Sequence, residues 1–379
     1  MAKQATKEKE EDKVLSPSEQ AMSYLNANKT DHYNFEDSIT DVTRSSSLQL
    51  SAAMNGGVEP GAHRAVGVTT GGKTSATLDF MYHFLKPVNG KRGVYVKSEG
   101  RLSKEVMARS GIVFTTDPKD WVDGTCLILE SNVFEFVFGF MGELIRNNET
   151  KTRYFFVIDS LDSMGKKADL EKSLTDATQV AGGAVITSVF FKKAATALSK
   201  RGHILWLISQ VRDFIKITTY GAGPTAPRQG NSSGGHAVEH AGDWVLEYLP
   251  RYKDDIIREN QDDDNSKPIG HYCKIRIVKS NNEKYGVVLR YPIKYGRTNA
   301  TSVWIEREIA DLLIQWEMVV KKGSWFTVSP SLITEVSEAT GETLPDQIQG
   351  KDNIFKVLEE NPKITSYLYD KFLKVIIGK

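Results

Sequence analysis

Cysteine and net charge are both scarce in this sequence. Only two of the 379 residues are cysteines, Cys126 and Cys273, and both lie in apolar, strand-like runs. A disulfide-stapled secreted scaffold is therefore excluded, and we expect buried free thiols in a reducing compartment. The formal net charge is +1, so the chain as a whole does not attract polyanions. Any nucleic-acid site must be a local basic patch or a row of backbone amides.

Long hydrophobic runs are also missing. No apolar run approaches the roughly 18 residues that cross a membrane, and the N-terminus has no apolar core of the kind found in secretory signals. Hydrophobic residues make up 40% and charged residues 26% of the chain, which is ordinary for a soluble globular protein. We therefore expect a cytoplasmic protein without a membrane partner, built from one large domain with smaller appendages.

The strongest motif present is Gly67-Val68-Thr69-Thr70-Gly71-Gly72-Lys73-Thr74, which fits the phosphate-binding P-loop pattern G-x-x-x-x-G-K-[ST]. Glycines let backbone N–H groups curl around a phosphate, and the N-terminus of the following helix adds its positive end. In this pattern the Lys73 ammonium reaches the β- and γ-phosphates, and the Thr74 hydroxyl ligates Mg²⁺. A strand is predicted before the loop and a helix after it, which disfavours the alternative of a plain glycine-rich turn.

Apolar runs alternate with helical patterns over much of the chain. The predicted strands cover residues 63–68, 92–97, 126–129, 154–158 and 203–208, and the predicted helices 76–85, 102–110, 133–145 and 189–199. This alternation is typical of an α/β fold in which helices cover both faces of a mostly parallel sheet. After residue 235, strands at 244–248, 273–278 and 287–291 are joined by turns, which predicts an antiparallel extension.

Smaller elements are expected at the two ends of the chain. Residues 1–14 are polar and cannot bury a face, whereas Ser16-Pro17-Ser18-Glu19 is a strong helix start. Another short helix is predicted over residues 45–54. The expected division is an N-terminal tail and helix at 1–36, a core at 37–322 and a small α/β domain at 323–379.

Two carboxylates follow predicted buried strands. Asp159 ends the apolar run 154–158, the position where a P-loop NTPase holds the water shell of its magnesium. Many buried strands end in aspartate, so this assignment depends on the P-loop. Glu99 follows the strand 92–97 and is expected at the same sheet edge, where a carboxylate can polarise the water that attacks a γ-phosphate. A surface glutamate in a loop explains Glu99 equally well.

Gln210 closes a predicted strand and precedes a long polar segment. A glutamine there can report the nucleotide state through a hydrogen bond to the γ-phosphate, although a simple polar strand end explains it equally well. The segment 212–235 is rich in small residues and too long for an inert connection. With a second small-residue stretch at 175–188, it offers backbone amides to a phosphodiester chain. Plain solvent-exposed loops remain the alternative for both.

Together these pieces resemble the RecA recombinase family, and the chain looks like a divergent, phage-type member. The resemblance runs from about Ile39 to the C-terminus. Its most specific segments are residues 43–50, 157–160, 208–212, 232–237 and 354–362. The segment 232–237 resembles the end of the family's second DNA-binding loop, and 354–362 looks like part of its C-terminal domain.

The resemblance implies a RecA-like P-loop ATPase core that uses ATP and Mg²⁺ and forms a helical homo-oligomeric filament on single-stranded DNA. The filament would pair that strand with homologous double-stranded DNA, and the N-terminal helix would pack on the neighbouring subunit. Lys73 would be catalytic with Glu99 as the base and Gln210 as the γ-phosphate sensor. Thr74 and Asp159 would hold the metal, and Lys279 and Lys284 would reach the neighbour's ATP. The expected ATP contacts are Gly67, Val68, Thr69, Thr70, Gly71, Gly72, Lys73, Thr74, Ser75, Asp159, Tyr295 and Gly296. The expected DNA contacts are Ser188, Lys192, Arg212, Gly234, Gly235 and His236.

Several positions depart from the family pattern. Of the family's two lysines that reach the neighbour's ATP, only Lys279 matches, and Lys284 is the candidate for the second charge. The adenine-stacking aromatic of the family falls near Val106 and its adenine-facing carboxylate near Ser103, which predicts looser base selectivity. Two other functions stay open: a ring-forming helicase, disfavoured by the short N-terminal element, and a non-catalytic recombination mediator, which the missing lysine favours.

Overall fold

The computed structural model describes residues 15–378 apart from 101, 149, 173–181 and 211–241. The predicted polar tail at 1–14 lies outside these residues. The strands of the main sheet are β1 (Gly61–Gly67), β2 (Lys91–Lys97), β3 (Val113–Thr115), β4 (Thr125–Glu130), β5 (Arg153–Asp159), β6 (Ile204–Gln210), β7 (Trp244–Tyr248), β8 (Ile256–Arg258), β9 (Pro268–Lys279) and β10 (Val288–Lys294); a small second sheet contains β11 (Val319–Lys322), β12 (Trp325–Val328) and β13 (Gln347–Gln349).

The helices lie between these strands and at both ends of the chain. In chain order they are α1 (Pro17–Ala27), α2 (Leu48–Ala53), α3 (Lys73–Leu85), α4 (Lys104–Ser110), α5 (Phe134–Arg146), α6 (Lys167–Leu170), α7 (Gly182–Lys200), α8 (Ile305–Gln315), α9 (Pro330–Thr340), α10 (Lys351–Glu360) and α11 (Pro362–Ile377). Within the described ranges, no helix is long and apolar enough to cross a bilayer. Cys126 and Cys273 are free and buried, as the sequence predicts.

The main sheet has the strand order β10-β9-β7-β1-β6-β5-β2-β4-β3, with β8 paired to β9. Every pair from β7 to β3 is parallel, which confirms the predicted α/β fold with a mostly parallel sheet. Residues 244–248 form β7, which pairs antiparallel with β9, as the predicted antiparallel extension requires, and parallel with β1 on its other side, which the sequence did not indicate. The antiparallel pairs in the described part of the main sheet are β7–β9, β8–β9 and β9–β10.

Two apolar cores cover the two faces of the main sheet. Alternate side chains of β5 enter opposite cores: Phe155 and Val157 face the core under α3, whereas Phe156 and Ile158 face the core under α5 and α7. All four are fully buried. A central strand buried on both faces needs apolar residues at every position, which explains its continuous apolar sequence.

The carboxyl ends of the central strands meet at one edge of the sheet. Gly67 of β1 lies opposite Gln210 of β6, and Asp159 of β5 lies opposite Lys97 of β2 and Ile208 of β6. Crevices at this edge of an open parallel sheet are the usual ligand sites of such folds. The residues singled out in the sequence therefore meet here because of strand direction and register.

The N-terminal helix forms as predicted. Ser16 caps α1, with its hydroxyl accepting from the Glu19 amide at 3.3 Å while the Glu19 carboxylate accepts from the Ser16 amide at 2.8 Å. Against the described part of the chain, α1 buries none of its residues. Met22 is 54% and Tyr24 is 72% exposed. A helix with uncovered apolar side chains has a surface available for another molecule.

Helix α2 begins later than predicted. It starts at Leu48, because the hydroxyls of Ser45 and Ser46 and the Ser46 amide bond to the Asp79 carboxylate of α3 instead of joining a helix. Ser47 is the cap, and its hydroxyl accepts from the Leu50 amide at 3.1 Å. Serine side chains that bond outside the helix favour caps over helix interiors. The segment thus links α2 to the helix that follows the glycine-rich loop.

A third core joins the C-terminal elements. Residues of α8 to α11 and of the antiparallel sheet β11-β12-β13 pack around Leu313, Phe326 and Phe372, and Leu48 of α2 enters the same cluster. Arg297, just before α8, forms ion pairs with Glu306 and Glu359. The C-terminal module is therefore fastened to the rest of the chain through α2 and α8.

Glu308 of α8 is fully buried beside the start of α2, and its burial makes the stability of the fold depend on pH. It accepts from the Ser47 hydroxyl at 2.6 Å and from the Leu48 amide at 2.9 Å. Burial raises the pKa of Glu308 to about 7, against an ordinary value of 4.5. Folding therefore favours the protonated carboxyl group. The free energy of unfolding that this group contributes is fully present below pH 4.5 and is lost as the pH rises through 7.

We expect Glu308→Gln to remove this pH dependence. Relative to the variant, the wild type should lose about 3 kcal/mol of unfolding free energy over that pH range. Urea unfolding at pH 5 and pH 8 measures the difference, and the exposed Glu338→Gln on α9 is the control. Equal pH slopes for the wild type and Glu308→Gln would contradict the assignment.

Candidate functional site

The glycine-rich loop connects β1 to α3 at the sheet edge described above. Gly72 precedes α3 with φ of 103° and no side-chain cap, so the first amides of the helix are open to a ligand. Gly67 ends β1 with φ of 141°, and a Cβ there would lie 2.2 Å from the carbonyl oxygen of Tyr248. The loop geometry therefore requires glycine at both positions.

Lys73 is the first residue of α3, and its side chain is buried against the loop. Its ammonium donates to the carbonyl oxygens of Gly67 at 2.9 Å and Val68 at 2.7 Å. Burial lowers the pKa of Lys73, while the nearby carboxylates of Asp159, Asp162 and Glu99 oppose that shift. Lys73 thus lies between the loop and a group of three acidic side chains.

Asp159 is held by two hydroxyl groups. Its Oδ2 accepts from Thr74 Oγ1 at 2.7 Å and from the Tyr95 hydroxyl at 2.6 Å. Burial, with the charge of Asp159, raises the pKa of Tyr95, so this hydroxyl keeps its proton and remains a donor. A carboxylate and a threonine hydroxyl side by side are hard oxygen ligands of the kind that Mg²⁺ prefers. The residues at this point fit a magnesium ion with its water shell.

Glu99 and Gln210 lie on either side of a short turn after β5. Leu161–Ser163 forms a single 3₁₀ turn. The Ser163 hydroxyl donates to Glu99 Oε2, and Asp162 Oδ2 accepts from the Gln210 amide at 2.7 Å. The predicted base and the predicted sensor therefore both contact the turn that follows Asp159, Glu99 through its carboxylate and Gln210 through its backbone N–H; their roles stay predictions.

A pocket of about 450 Å³ extends from the loop along α3 toward the antiparallel strands. Thr70 to Ala76 line one end, and Tyr295 lines the other, with its ring 5.4 Å from that of His271. Val106 and Arg109 of α4 also line it, whereas Gly296 is not among the described residues in its wall. Burial, followed by the charges of Arg251 and Arg109, lowers the pKa of His271 to about 4. The far end of the pocket therefore carries arginine charge and a neutral imidazole.

The two lysines predicted to act across subunits lie at the β9–β10 connection. Lys279 is the last residue of β9. The Lys284 ammonium donates to the Ala52 carbonyl oxygen at 2.9 Å and to Asn55 Oδ1 at 3.3 Å, at the end of α2. Lys284 thus contacts its own subunit, and its reach to a neighbour stays a prediction.

The predicted DNA contacts fall partly outside the described residues. Arg212, Gly234, Gly235 and His236 lie in the range 211–241, which is not described. The prediction of a loop over 175–188 is wrong for its second half, because α7 begins at Gly182. Within the added part of the helix, Ile186 packs against the core under α5 and α7 and Thr187 is fully buried, and such tertiary packing stabilises a longer helix. Ser188 is half-buried and Lys192 is exposed on α7.

Three site residues were missed by sequence reasoning: Tyr95, Asp162 and Ser163. Tyr95 is a buried residue of the predicted strand that precedes Glu99, and only its position on the strand face toward Asp159 shows that it belongs to the site. Asp162 and Ser163 follow Asp159 within four positions, inside a segment that looks like an ordinary polar turn. Only the approach of β6 and of the Glu99 loop gives these two residues partners.

No family model matches the chain. Curated relatives do match. A RecA protein of Corynebacterium glutamicum strain R is 29% identical over 224 residues, which cover 59% of this chain and 50% of that protein. A RecA protein of Rickettsia bellii strain OSU 85-389 is 24% identical over 324 residues, or 84% of this chain and 80% of that protein. The RecA protein of Rickettsia africae is 24% identical over 330 residues, 86% of each chain.

The chain is a divergent member of the RecA family. This agrees with the resemblance seen in the sequence and with the parallel sheet of the structure. The chain spans about half the length of the Corynebacterium RecA proteins that it matches and most of the length of the two Rickettsia proteins. At 24–29% sequence identity, the activity, substrates and partners of this chain are matters for proposal and experiment.

Proposed function

We propose that this RecA-family protein is a DNA-dependent ATPase that forms helical filaments on single-stranded DNA and exchanges strands with a homologous duplex. The observation that carries the proposal is the convergence of Lys73, Asp159, Glu99 and Gln210 at one sheet edge beside the glycine-rich loop. These groups are the parts that phosphoryl transfer needs: a positive charge, a metal-holding carboxylate, a base and a sensor.

Each group has a distinct task in the proposed reaction. Bound Mg²⁺ supplies charge neutralisation at the phosphate oxygens of ATP. Thr74 and Asp159 hold the metal, and Tyr95 keeps the Asp159 carboxylate oriented through its 2.6 Å hydrogen bond. The Lys73 ammonium contributes positive charge to the phosphates, and Glu99 accepts the proton of the attacking water.

Filament formation is supported by surfaces that have no cover in the described subunit. Helix α1 carries Met22 and Tyr24 exposed at 54% and 72%, and in the proposed filament it packs on the core of the next subunit. Lys279 and Lys284 would then face the neighbour's nucleotide. The division into a tail and oligomerisation helix (1–36), an ATPase core (37–322) and a C-terminal domain (323–379) belongs to this proposal.

DNA would be held mainly through its phosphates. Lys192 on α7 is exposed, and the proposed contacts at Ser188, Arg212, Gly234, Gly235 and His236 combine small and basic residues. With a formal net charge of only +1, such local contacts must supply the attraction. Base pairing between the strands, and not the protein, would select the sequence.

Electron microscopy of the purified protein with single-stranded DNA, Mg²⁺ and a slowly hydrolysed ATP analogue tests the assembly. We expect continuous helical filaments that need all three components. Closed rings would instead support the helicase alternative. Particles that never assemble would support a mediator that binds nucleotide without exchanging strands, an alternative that the match of only one in-trans lysine keeps open.

A further inference from the structure

The turn Leu161–Ser163 joins the two groups that the proposed function requires to act together. Leu161 is 1% exposed and belongs to the core under α5 and α7, so packing of this side chain in the core holds the turn in place. Its other two side chains point in different directions: Asp162 contacts the end of β6, and Ser163 contacts Glu99 after β2. One short turn therefore contacts the ends of two strands that are not neighbours in the sheet.

Asp162 fixes the last residue of β6. Its Oδ2 accepts from the backbone N–H of Gln210 at 2.7 Å, and Gln210 lies opposite Gly67, where the glycine-rich loop begins. The second carboxylate oxygen, Oδ1, is buried and has no hydrogen-bond partner among the described residues. Burying an unpaired polar atom is unfavourable, so this carboxylate is not explained by the stability of the fold alone.

Ser163 fixes the loop that carries Glu99. Its hydroxyl donates to Glu99 Oε2 and lies 3.1 Å from the Ser160 hydroxyl. The residue before Glu99 is held as well, since the Ser98 hydroxyl donates to the Ser160 carbonyl oxygen at 2.6 Å. Glu99 lies beyond the end of β2, so these contacts with the segment after Asp159, rather than the sheet ladder, set its position.

We propose that the turn Leu161–Ser163 is a coupling element of the nucleotide site, in which Asp162 is the positioning residue for Gln210 and Ser163 is the positioning residue for Glu99. This inference rests on the proposed ATPase function. A movement of Gln210 is transmitted through Asp162 and Ser163 to the catalytic carboxylate, because both side chains belong to the same anchored turn. The two residues act on turnover through Gln210 and Glu99 and do not touch the reacting atoms.

Two substitutions at Asp162 distinguish the effect of its hydrogen bond to Gln210 from the effect of its negative charge. Asp162→Asn keeps an oxygen that accepts from the Gln210 amide but removes the negative charge, whereas Asp162→Ala removes both. We expect Asp162→Ala to lower the kcat of DNA-stimulated ATP hydrolysis about tenfold with the KM for ATP changed less than about twofold. Asp162→Asn should restore most of the loss. Wild-type kcat in Asp162→Ala, or equal losses in both variants, overturns the role of Asp162.

The coupling itself is tested with Ser163. We expect Ser163→Ala to lower kcat by a similar factor and Ser163→Thr, which keeps the hydroxyl, to retain activity. If one turn connects the two groups, the double variant Asp162→Ala/Ser163→Ala loses no more than the worse single variant. Losses that multiply overturn the coupling element. Ser163→Ala is a small change, so it remains informative if an Asp162 variant fails to fold.

The wild type measured in the same assay separates this inference from the proposed function. A wild type without DNA-stimulated turnover defeats the proposed function and, with it, the coupling element. A wild type with normal turnover and an unaffected Asp162→Ala defeats the coupling element alone. Exposed Asp120→Ala, in the loop before β4, is the control for removal of one carboxylate elsewhere on the surface.

Discussion

Lys73→Ala is expected to abolish nucleotide-dependent DNA binding. The Lys73 ammonium is buried beside the loop, 2.9 and 2.7 Å from the Gly67 and Val68 carbonyl oxygens, and faces three carboxylates. Hydrogen bonds to charged groups contribute roughly 1.5–3 kcal/mol each. Losing the contacts of one ammonium with the β- and γ-phosphates should therefore weaken ATP binding about 100-fold or more.

The measurement is the affinity for a fluorescent single-stranded oligonucleotide with and without a slowly hydrolysed ATP analogue. Wild-type protein should bind DNA more tightly with the analogue, and Lys73→Ala should show no difference. Lys86→Ala is the matched control, since Lys86 is exposed and caps the opposite end of α3. If Lys73→Ala responded to the analogue as the wild type does, the assignment of the loop as the nucleotide site would be wrong.

Glu99→Gln is expected to separate assembly from hydrolysis. Glutamine keeps an oxygen that accepts a hydrogen bond from the Ser163 hydroxyl, so the side chain should stay in place, but it cannot take a proton from water. General base catalysis contributes roughly 10²–10⁴-fold to a rate. We therefore expect kcat to fall about 100-fold or more with little change in KM, while ATP and DNA still support filaments that persist longer.

Phosphate release measures turnover, and electron microscopy of the same samples measures assembly. Glu130→Gln is the control: Glu130 is exposed at the end of β4, on the same sheet edge, and pairs with Lys97. Normal turnover in Glu99→Gln would falsify the base assignment. Loss of filaments together with turnover would mean that Glu99 has a structural role at the site.

The elements closest to the glycine-rich loop are predictable because their signals are local. Residues 67–74 contain their own spacing, and the strand before them and the helix after them form where the pattern indicates. The apolar run before Asp159 is continuous because both faces of β5 are buried, a property that the sequence displays directly. The serine and proline at the start of α1 act within one helical turn.

Tertiary contacts decide three features that the local sequence pattern does not indicate. Residues 182–188 contain two glycines and several other small residues, yet α7 includes them, because Ile186 packs against the core and Thr187 is fully buried. Ser45 and Ser46 fit a helix start, yet their hydroxyls donate hydrogen bonds to the Asp79 carboxylate and the helix begins later. The parallel pairing of β7 with β1 is not visible in the sequence either, because no short-range pattern specifies pairing between distant strands.

The sequence by itself predicted the fold class, the glycine-rich loop and the position of Asp159 at the end of a buried strand, because strand and helix periodicity, the spacing of the loop and the apolar run before Asp159 are all visible in the order of residue types. Only the tertiary structure decided that Tyr95 orients Asp159, that Asp162 holds Gln210 and that Ser163 holds Glu99. These contacts join residues up to 64 positions apart. They arise because parallel strands bring their carboxyl ends to one edge, where turns from different parts of the chain meet.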